Sequence, residues 1–298
     1  MKTKQKQILH HRMKVNMKNN VSQGWVSDIS GNQEPLFFIL GPCVMENEAD
    51  TMRAAEFLKK LSEKLNFKLI FKGSFDKANR TALQGFRGTG ITQGLATLER
   101  VKKTFDVPVI TDIHETVHVN EVADVVDVLQ IPAFLCRQTD LLVAAGKTGK
   151  PVHVKKGQFE TPESMQHVIG KIESTGNRTI WLCERGYSFG YNNLVVDYRN
   201  FPIMKTLGKP VVFDVTHSVQ RPGGLGCASG GDSAFIMNLA ASAIVQGIAG
   251  LFLMVHHEPG KARCCGPVSV DFNRLETVLN YLIELDAWTK SRTLPAIQ

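Results

Sequence analysis

The densest chemistry in the chain lies at residues 71–81. A short apolar run, Leu69-Ile70-Phe71, reads as a buried strand that Gly73 breaks. Lys72, Ser74, Lys77, Asn79, Arg80 and Thr81 follow closely. Three cations, two hydroxyls and an amide at a strand end suit a doubly anionic ligand: the cations neutralise a phosphate, and a guanidinium grips it bidentately. A basic stretch alone is more often a solvated loop. Here Asp76 sits among the donors and the loop leaves a buried strand, which favours a site.

Such a loop needs a scaffold that brings further groups to the same end. Short apolar runs rich in β-branched residues occur at 36–41, 68–73, 107–112, 125–131, 152–156, 179–184, 211–216 and 251–255, as expected of strands buried on both faces. Helical patterns separate them. The first, at 47–65, puts Met52, Ala55, Leu58, Leu61 and Leu65 on one stripe. The last follows Asp271, a good cap, and turns Phe272, Leu275, Val278, Leu279, Leu282 and Leu285 inward. Eight strands alternating with about eight helices imply an α/β fold, a single-domain (β/α)8 TIM barrel over 34–290; an open doubly wound sheet is the alternative. Sites in such barrels sit at the C-terminal strand ends. Those ends carry Cys43, Lys72, Asp112, Gln130, Lys155, Glu184 with Arg185, His217 and His256. Singly each has a dull explanation, as a helix cap or a satisfied core histidine; their shared position is what argues for a site.

The net charge of +7 suggests nucleic acid, but it is misplaced. Lys2, Lys4, Lys6, Arg12, Lys14 and Lys18 lie in an acid-free N-terminal stretch, and the remaining 29 Lys and Arg face 28 Asp and Glu. Residues 1–33 are expected to be a disordered basic extension with no secretory core, and 291–298 a tail. Neither nucleic acid nor membrane is an expected partner. The apolar stretch at 236–255 contains Asn238, Ser242, Gln246, Gly247 and Gly250, and reads as a buried helix, a turn near Gly247 and a strand. The six cysteines, without a CxxC pair or a secretory signal, point to a reducing, cytoplasmic setting. Cys136, Cys183 and Cys227 read as small buried hydrophobes.

The loop Lys72-x-Ser-Phe-Asp-Lys-Ala-Asn-Arg-Thr81 resembles the signature of the 3-deoxy-D-manno-octulosonate 8-phosphate (Kdo8P) synthase family. The related DAHP synthases carry Lys-Pro-Arg-Thr-Ser there, which this chain lacks. The resemblance extends through Gly-Pro-Cys43, Thr111-Asp-Ile-His-Glu115, the stretch 130–140, Lys155-Lys-Gly-Gln-Phe159, Glu184-Arg-Gly186, Asp214-x-Thr-His217 and Ser229-Gly-Gly231. It implies condensation of phosphoenolpyruvate with D-arabinose 5-phosphate and water, giving Kdo8P and phosphate for lipopolysaccharide synthesis. It further implies that Lys72, Ser74, Lys155, Gln158 and Arg185 hold phosphoenolpyruvate, and that Asn79, Arg80 and Thr81, with Lys77, hold the sugar phosphate. Asp112 and Gln130 would line the sugar pocket, and Arg137 would reach a neighbouring subunit of a homotetramer. Lys77, Asp112, His217 and Cys265 are the implied catalytic positions. The alternatives are a condensation with erythrose 4-phosphate, and a sugar-phosphate-binding homologue impaired in catalysis.

No organic cofactor is implied, but a divalent metal is. Cys43 and His217 match two ligands of the family's metal-dependent branch, while Met254 and Cys265 stand where that branch has Glu and Asp. Cys43, His217 and Cys265 would resemble a zinc-like site with an open fourth position, Met254 being a soft neutral neighbour. Cys264 is expected to point away, since neighbours in an extended segment face opposite ways.

Overall fold

In the computed structural model, residues 24–223, 230–293 and 295 are described. Cys227, Ser229 and the six N-terminal cations lie outside them. Eight parallel strands form the frame: β1 (Phe37–Gly41), β2 (Lys68–Lys72), β3 (Val109–Asp112), β4 (Val128–Ile131), β5 (Val152–Lys155), β6 (Ile180–Glu184), β7 (Val211–Asp214) and β8 (Gly250–His256). Each pairs with the next, and β8 closes the ring on β1, with Phe37 opposite Gly250 and Gly41 opposite Met254. Helices α1 (Glu48–Leu65), α2 (Ile91–Phe105), α3 (Val119–Val125), α4 (Thr139–Lys147), α5 (Met165–Glu173), α6 (Asn200–Thr206), α7 (Ile236–Ile244) and α8 (Phe272–Lys290) carry the chain between and after the strands. This is the expected (β/α)8 barrel.

Caps and stops follow local chemistry. Asn47 opens α1 by accepting from the Asp50 N–H, and Asp271 opens α8 by accepting from the Asn273 N–H. No helix among the described residues is long and apolar enough to cross a membrane; α7 and β8 divide the suspect apolar stretch between them.

Strand alternation sorts side chains into two cores. Phe38, Leu40, Leu69, Phe71, Val109 and Leu129 face the helices. Phe37, Ile39, Ile70, Ile110, Val128, Trp181, Val212 and Phe252 fill the barrel interior. Counting on by two from the interior set reaches Lys72, Asp112, Gln130, Asp214 and Met254. The interior register therefore ends in polar groups on several strands, while β1, β6 and β8 carry Gly41, Cys183 and Met254 there. Gly41 is needed where β1 meets β2, because a Cβ there would lie 1.9 Å from the Lys72 carbonyl oxygen.

Most strand ends fall within one or two residues of the expected ranges, and three differences have a physical cause. The segment taken as strand from residue 125 is helical through Val125, because its apolar residues pack a helix face before the strand begins at Val128. Val215 and Thr216 are not strand but the start of a helical turn, Val215–Ser218, which Asp214 caps by accepting from the His217 N–H. Ordered packing also begins before residue 34: the turn Trp25–Asp28 buries Val26, and Ile29 follows it into the interior cluster.

Candidate active site

The cations after the strands converge at one mouth. A cavity of about 300 Å³ is lined by Lys72, Lys77, Asn79, Asp112, Gln130, Lys155, Gln158, Arg185 and His217. An adjoining cavity of about 180 Å³ shares Lys77, Asn79, Gln158, Arg185 and His217, and adds Cys43, Arg80, Thr81 and Cys265; among the described residues no carboxylate lines it. Several predicted residues line neither cavity. Ser74 is fully buried and lines neither cavity. The Arg137 side chain is 73% exposed, with Nε 3.3 Å from Glu160. Met254 is fully buried in the interior cluster. His256 lines a separate small cleft with Glu46 and His257.

Asp112 organises one wall. Lys72 and Lys77 each place Nζ 3.6 Å from its carboxylate, and His114 Nε2 lies 3.4 Å away. Ser74 ties this group together: it accepts from Lys72 and, at 2.8 Å, from Lys77, and donates to Asp112. Burial alone would push the Asp112 carboxyl up, but the two ammonium groups and His114 hold it well below its usual range. Burial brings the Lys72 ammonium down to about 8, against the opposing pull of Asp112. Burial acts on Lys77 in the same sense, but Asp112 and the nearby thiols outweigh it and hold the ammonium charged.

Asp214 organises the other wall. One of its oxygens pairs with Lys155 and lies 2.6 Å from His217 Nδ1. The other accepts the His217 N–H at 2.9 Å and the Thr216 hydroxyl at 3.2 Å. Burial opposes its ionisation, but His217 and Lys155 keep it ionised. An ionised carboxylate only accepts, so His217 Nδ1 donates to Asp214 and Nε2 faces away from it. Lys155 Nζ also sits 3.3 Å over the Phe252 ring. Beneath the mouth, Glu184 accepts from Arg185 N at 2.9 Å and Asn200 Nδ2 at 2.7 Å, and pairs with the fully buried Lys156 at 3.6 Å.

Among the described residues, the buried polar atoms without a partner include three at this mouth: Gln130 Oε1, Gln158 Oε1 and Arg185 Nη1. Buried polar groups are ordinarily hydrogen-bonded. All three belong to residues that line the first cavity, as expected of a surface shaped for an anionic, hydroxyl-bearing ligand.

His217 Nε2 faces sulfur. It lies 3.9 Å from both Cys43 Sγ and Cys265 Sγ. The expectation for Cys264 is overturned: its Sγ is 3.3 Å from Cys43 Sγ and 3.4 Å from Cys265 Sγ. The reason is local. Cys265 has φ +57°, a left-handed residue rather than an extended one, so neighbouring side chains need not oppose. The Cys43 and Cys265 sulfurs are 2.9 Å apart. Hydrogen bonds from Cys264 and Cys265 hold the Cys43 thiol well below its ordinary range. A cluster of sulfurs with an imidazole lone pair fits a thiophilic ion such as zinc and not a hard, oxygen-seeking one.

The chemistry of this mouth can be set beside known proteins. The DAHP synthetase I family pattern matches residues 12–291. The chain belongs to that family. Among its relatives, the 2-dehydro-3-deoxyphosphooctonate aldolase of Desulfatibacillum aliphaticivorans is 56% identical over 251 residues, 84% of this chain and 92% of that one. The protein of the same name from Geobacter sp. (strain M21) is 54% identical over 257 residues, covering 86% and 94%. That from Francisella tularensis subsp. holarctica (strain LVS) is 52% identical over 262 residues, covering 88% and 95%. Within this DAHP synthetase I member, Asp214, His114, Phe252 and Cys264 belong to the site, although their residue types and spacing alone do not assign them a role. The interior register of β7 and β8 was the available signal for Asp214 and Phe252; nothing in the one-dimensional pattern forecasts the turn at Cys265.

Proposed function

We propose that the protein condenses phosphoenolpyruvate with D-arabinose 5-phosphate and water, releasing 3-deoxy-D-manno-octulosonate 8-phosphate and phosphate. The strongest support is the crowding of Lys72, Lys77, Lys155 and Arg185 around one cavity, in a chain more than half identical to proteins bearing the aldolase name. Two anions on one small substrate need several fixed cations, and preorganised charge costs no rearrangement when the reaction occurs.

In this reading Lys72, Lys155, Gln158 and Arg185 hold the phosphate and carboxylate of phosphoenolpyruvate. Ser74 acts from behind, aiming Lys72 and Lys77. Asn79, Arg80 and Thr81 hold the sugar phosphate, and Asp112 and Gln130 face the sugar hydroxyls. C3 of the enol attacks the sugar aldehyde, positive charge builds at C2, water adds there, and the C–O bond to phosphate breaks. Lys77, held charged, stabilises negative charge developing on the aldehyde oxygen. Asp214 keeps the His217 lone pair available at Nε2. A thiophilic ion held by Cys43, His217 and Cys265 would lie beside this cavity; with an open position it would polarise a carbonyl or a water, and with Cys264 as a fourth ligand it would not.

The test is phosphate release from phosphoenolpyruvate with arabinose 5-phosphate, run beside erythrose 4-phosphate, with and without added zinc. Turnover with the five-carbon sugar well above that with the four-carbon sugar is expected. Faster turnover with erythrose 4-phosphate, or binding of both substrates with no release at all, would sink the reading.

Assembly and location complete it. The exposed Arg137, flanked by the exposed Phe134 and Phe159, supports a homotetramer in which it reaches a neighbour's sugar phosphate. Sedimentation at assay concentration should give four copies; a fully active monomer would remove this part. The five described cysteines are all free, which supports a reducing, cytoplasmic setting.

A further inference from the structure

We propose that Cys43, Cys264, Cys265 and His217 form a closed site of three thiolates and one imidazole for a thiophilic divalent ion, and that this ion is structural. It would fasten the loop carrying Cys264 and Cys265 to the segment that leaves β1, with no coordination position left for water or substrate.

The distances carry the first part. Tetrahedral zinc with Zn–S about 2.3 Å and Zn–N about 2.0 Å puts its sulfurs about 3.8 Å apart and each sulfur about 3.5 Å from the nitrogen. The three sulfur–sulfur separations are 2.9, 3.3 and 3.4 Å, and two sulfur–nitrogen separations are 3.9 Å. These five separations lie within about 1 Å of the tetrahedral figure, so side-chain shifts of that order bring five of the six ligand pairs to it. The three sulfurs group as a possible metal cluster on their own.

The surroundings carry the second part. Three thiolates around a divalent ion leave one negative charge, and donors already face the sulfurs. Arg80 Nη1 lies 3.2 Å from Cys264 Sγ, and Gln220 Nε2 lies 3.2 Å from Cys265 Sγ. Asp214 fixes the imidazole from its other nitrogen, the usual support of a metal-bound histidine. The loop is anchored independently as well: Arg263 N donates to Glu46 Oε1 at 2.7 Å, and Arg80 Nη2 to Arg263 O at 2.9 Å. Four protein donors saturate a tetrahedral ion; catalytic zinc sites carry three and keep one position open. Loading the site exchanges the thiol protons for the ion and involves no electron transfer.

This inference deepens the reading of the site as a metal centre but does not rest on the substrates. The experiment is cobalt(II) titration of the reduced, metal-free full-length chain. The expected result is a tetrahedral cobalt spectrum with a thiolate-to-cobalt charge-transfer band that loses about a third of its intensity in each of Cys43→Ser, Cys264→Ser and Cys265→Ser. The spectrum should not change when phosphoenolpyruvate and arabinose 5-phosphate are added together. X-ray absorption of the zinc-loaded native chain should count three sulfurs and one nitrogen, which keeps the test independent of how the variants fold. Two sulfurs with an unaltered Cys264→Ser spectrum, or a spectrum that shifts with substrates, would overturn it. Phosphoenolpyruvate binding, measured by calorimetry on the same samples, reports separately on the substrate reading.

Discussion

Replacing Asp214 by Ala should destabilise the protein by about 3–5 kcal/mol, the usual cost of removing one partner from a buried ion pair. Asp214 is 1% exposed and serves Lys155, His217 and Thr216 at once. Its loss leaves the Lys155 ammonium buried among Phe252 and the interior wall without a counterion. A native stability of about 5–15 kcal/mol makes this a large fraction. Chemical denaturation of the variant measures it, and the double change Asp214→Ala with Lys155→Met supplies the control. The double variant should be more stable than Asp214→Ala alone, because the second change removes the stranded charge. A single variant within 1 kcal/mol of the native protein would mean that Asp214 does not carry this charge.

Replacing Arg80 by Ala should weaken arabinose 5-phosphate about ten- to a hundred-fold while changing phosphoenolpyruvate much less, since a charge-assisted phosphate contact is worth about 1.5–3 kcal/mol. Arg80 already spends Nε on Phe86 O, Nη1 on Cys264 Sγ and Nη2 on Arg263 O. A guanidinium has five N–H donors, so some remain for a phosphate without releasing the loop. Arg80→Lys should recover part of the charge but not the loop contacts. Calorimetry with each substrate separates the two losses. Equal weakening of both substrates would refute the assignment to the sugar phosphate.

The barrel was legible because its signal is repetitive. Eight apolar runs at regular spacing admit few folds, and alternation by two sends Lys72, Asp112, Gln130 and Lys155 to the same mouth whatever the loops do. The loop at 71–81 was legible for another reason: phosphate recognition needs cations, and they lie close together in the chain. What was not legible depends on single backbone angles or on contacts between distant segments. The left-handed φ of Cys265 turns Cys264 toward Cys43. Ser74 carries a hydroxyl suited to a ligand, yet the strand end sinks it beneath two lysines, where it orients them instead. Val26 and Ile29 sit in a stretch that composition marks as basic and unstructured, but two apolar side chains suffice to pack onto the interior cluster.

The pairing of β8 with β1 bears on the order in which this chain folds. That seam joins the segments farthest apart in sequence among the barrel strands, and contacts of long separation carry the largest loop-closure entropy and form late. Cys43 leaves one side of the seam, while Cys264 and Cys265 follow the other. The sulfurs therefore meet only in a ring that has already shut. A ring that fails to close keeps its first thiol far from the other two, and a soft ion arriving during synthesis finds no complete set of ligands to hold. Metal capture in this chain would then record the last step of folding rather than direct the early ones.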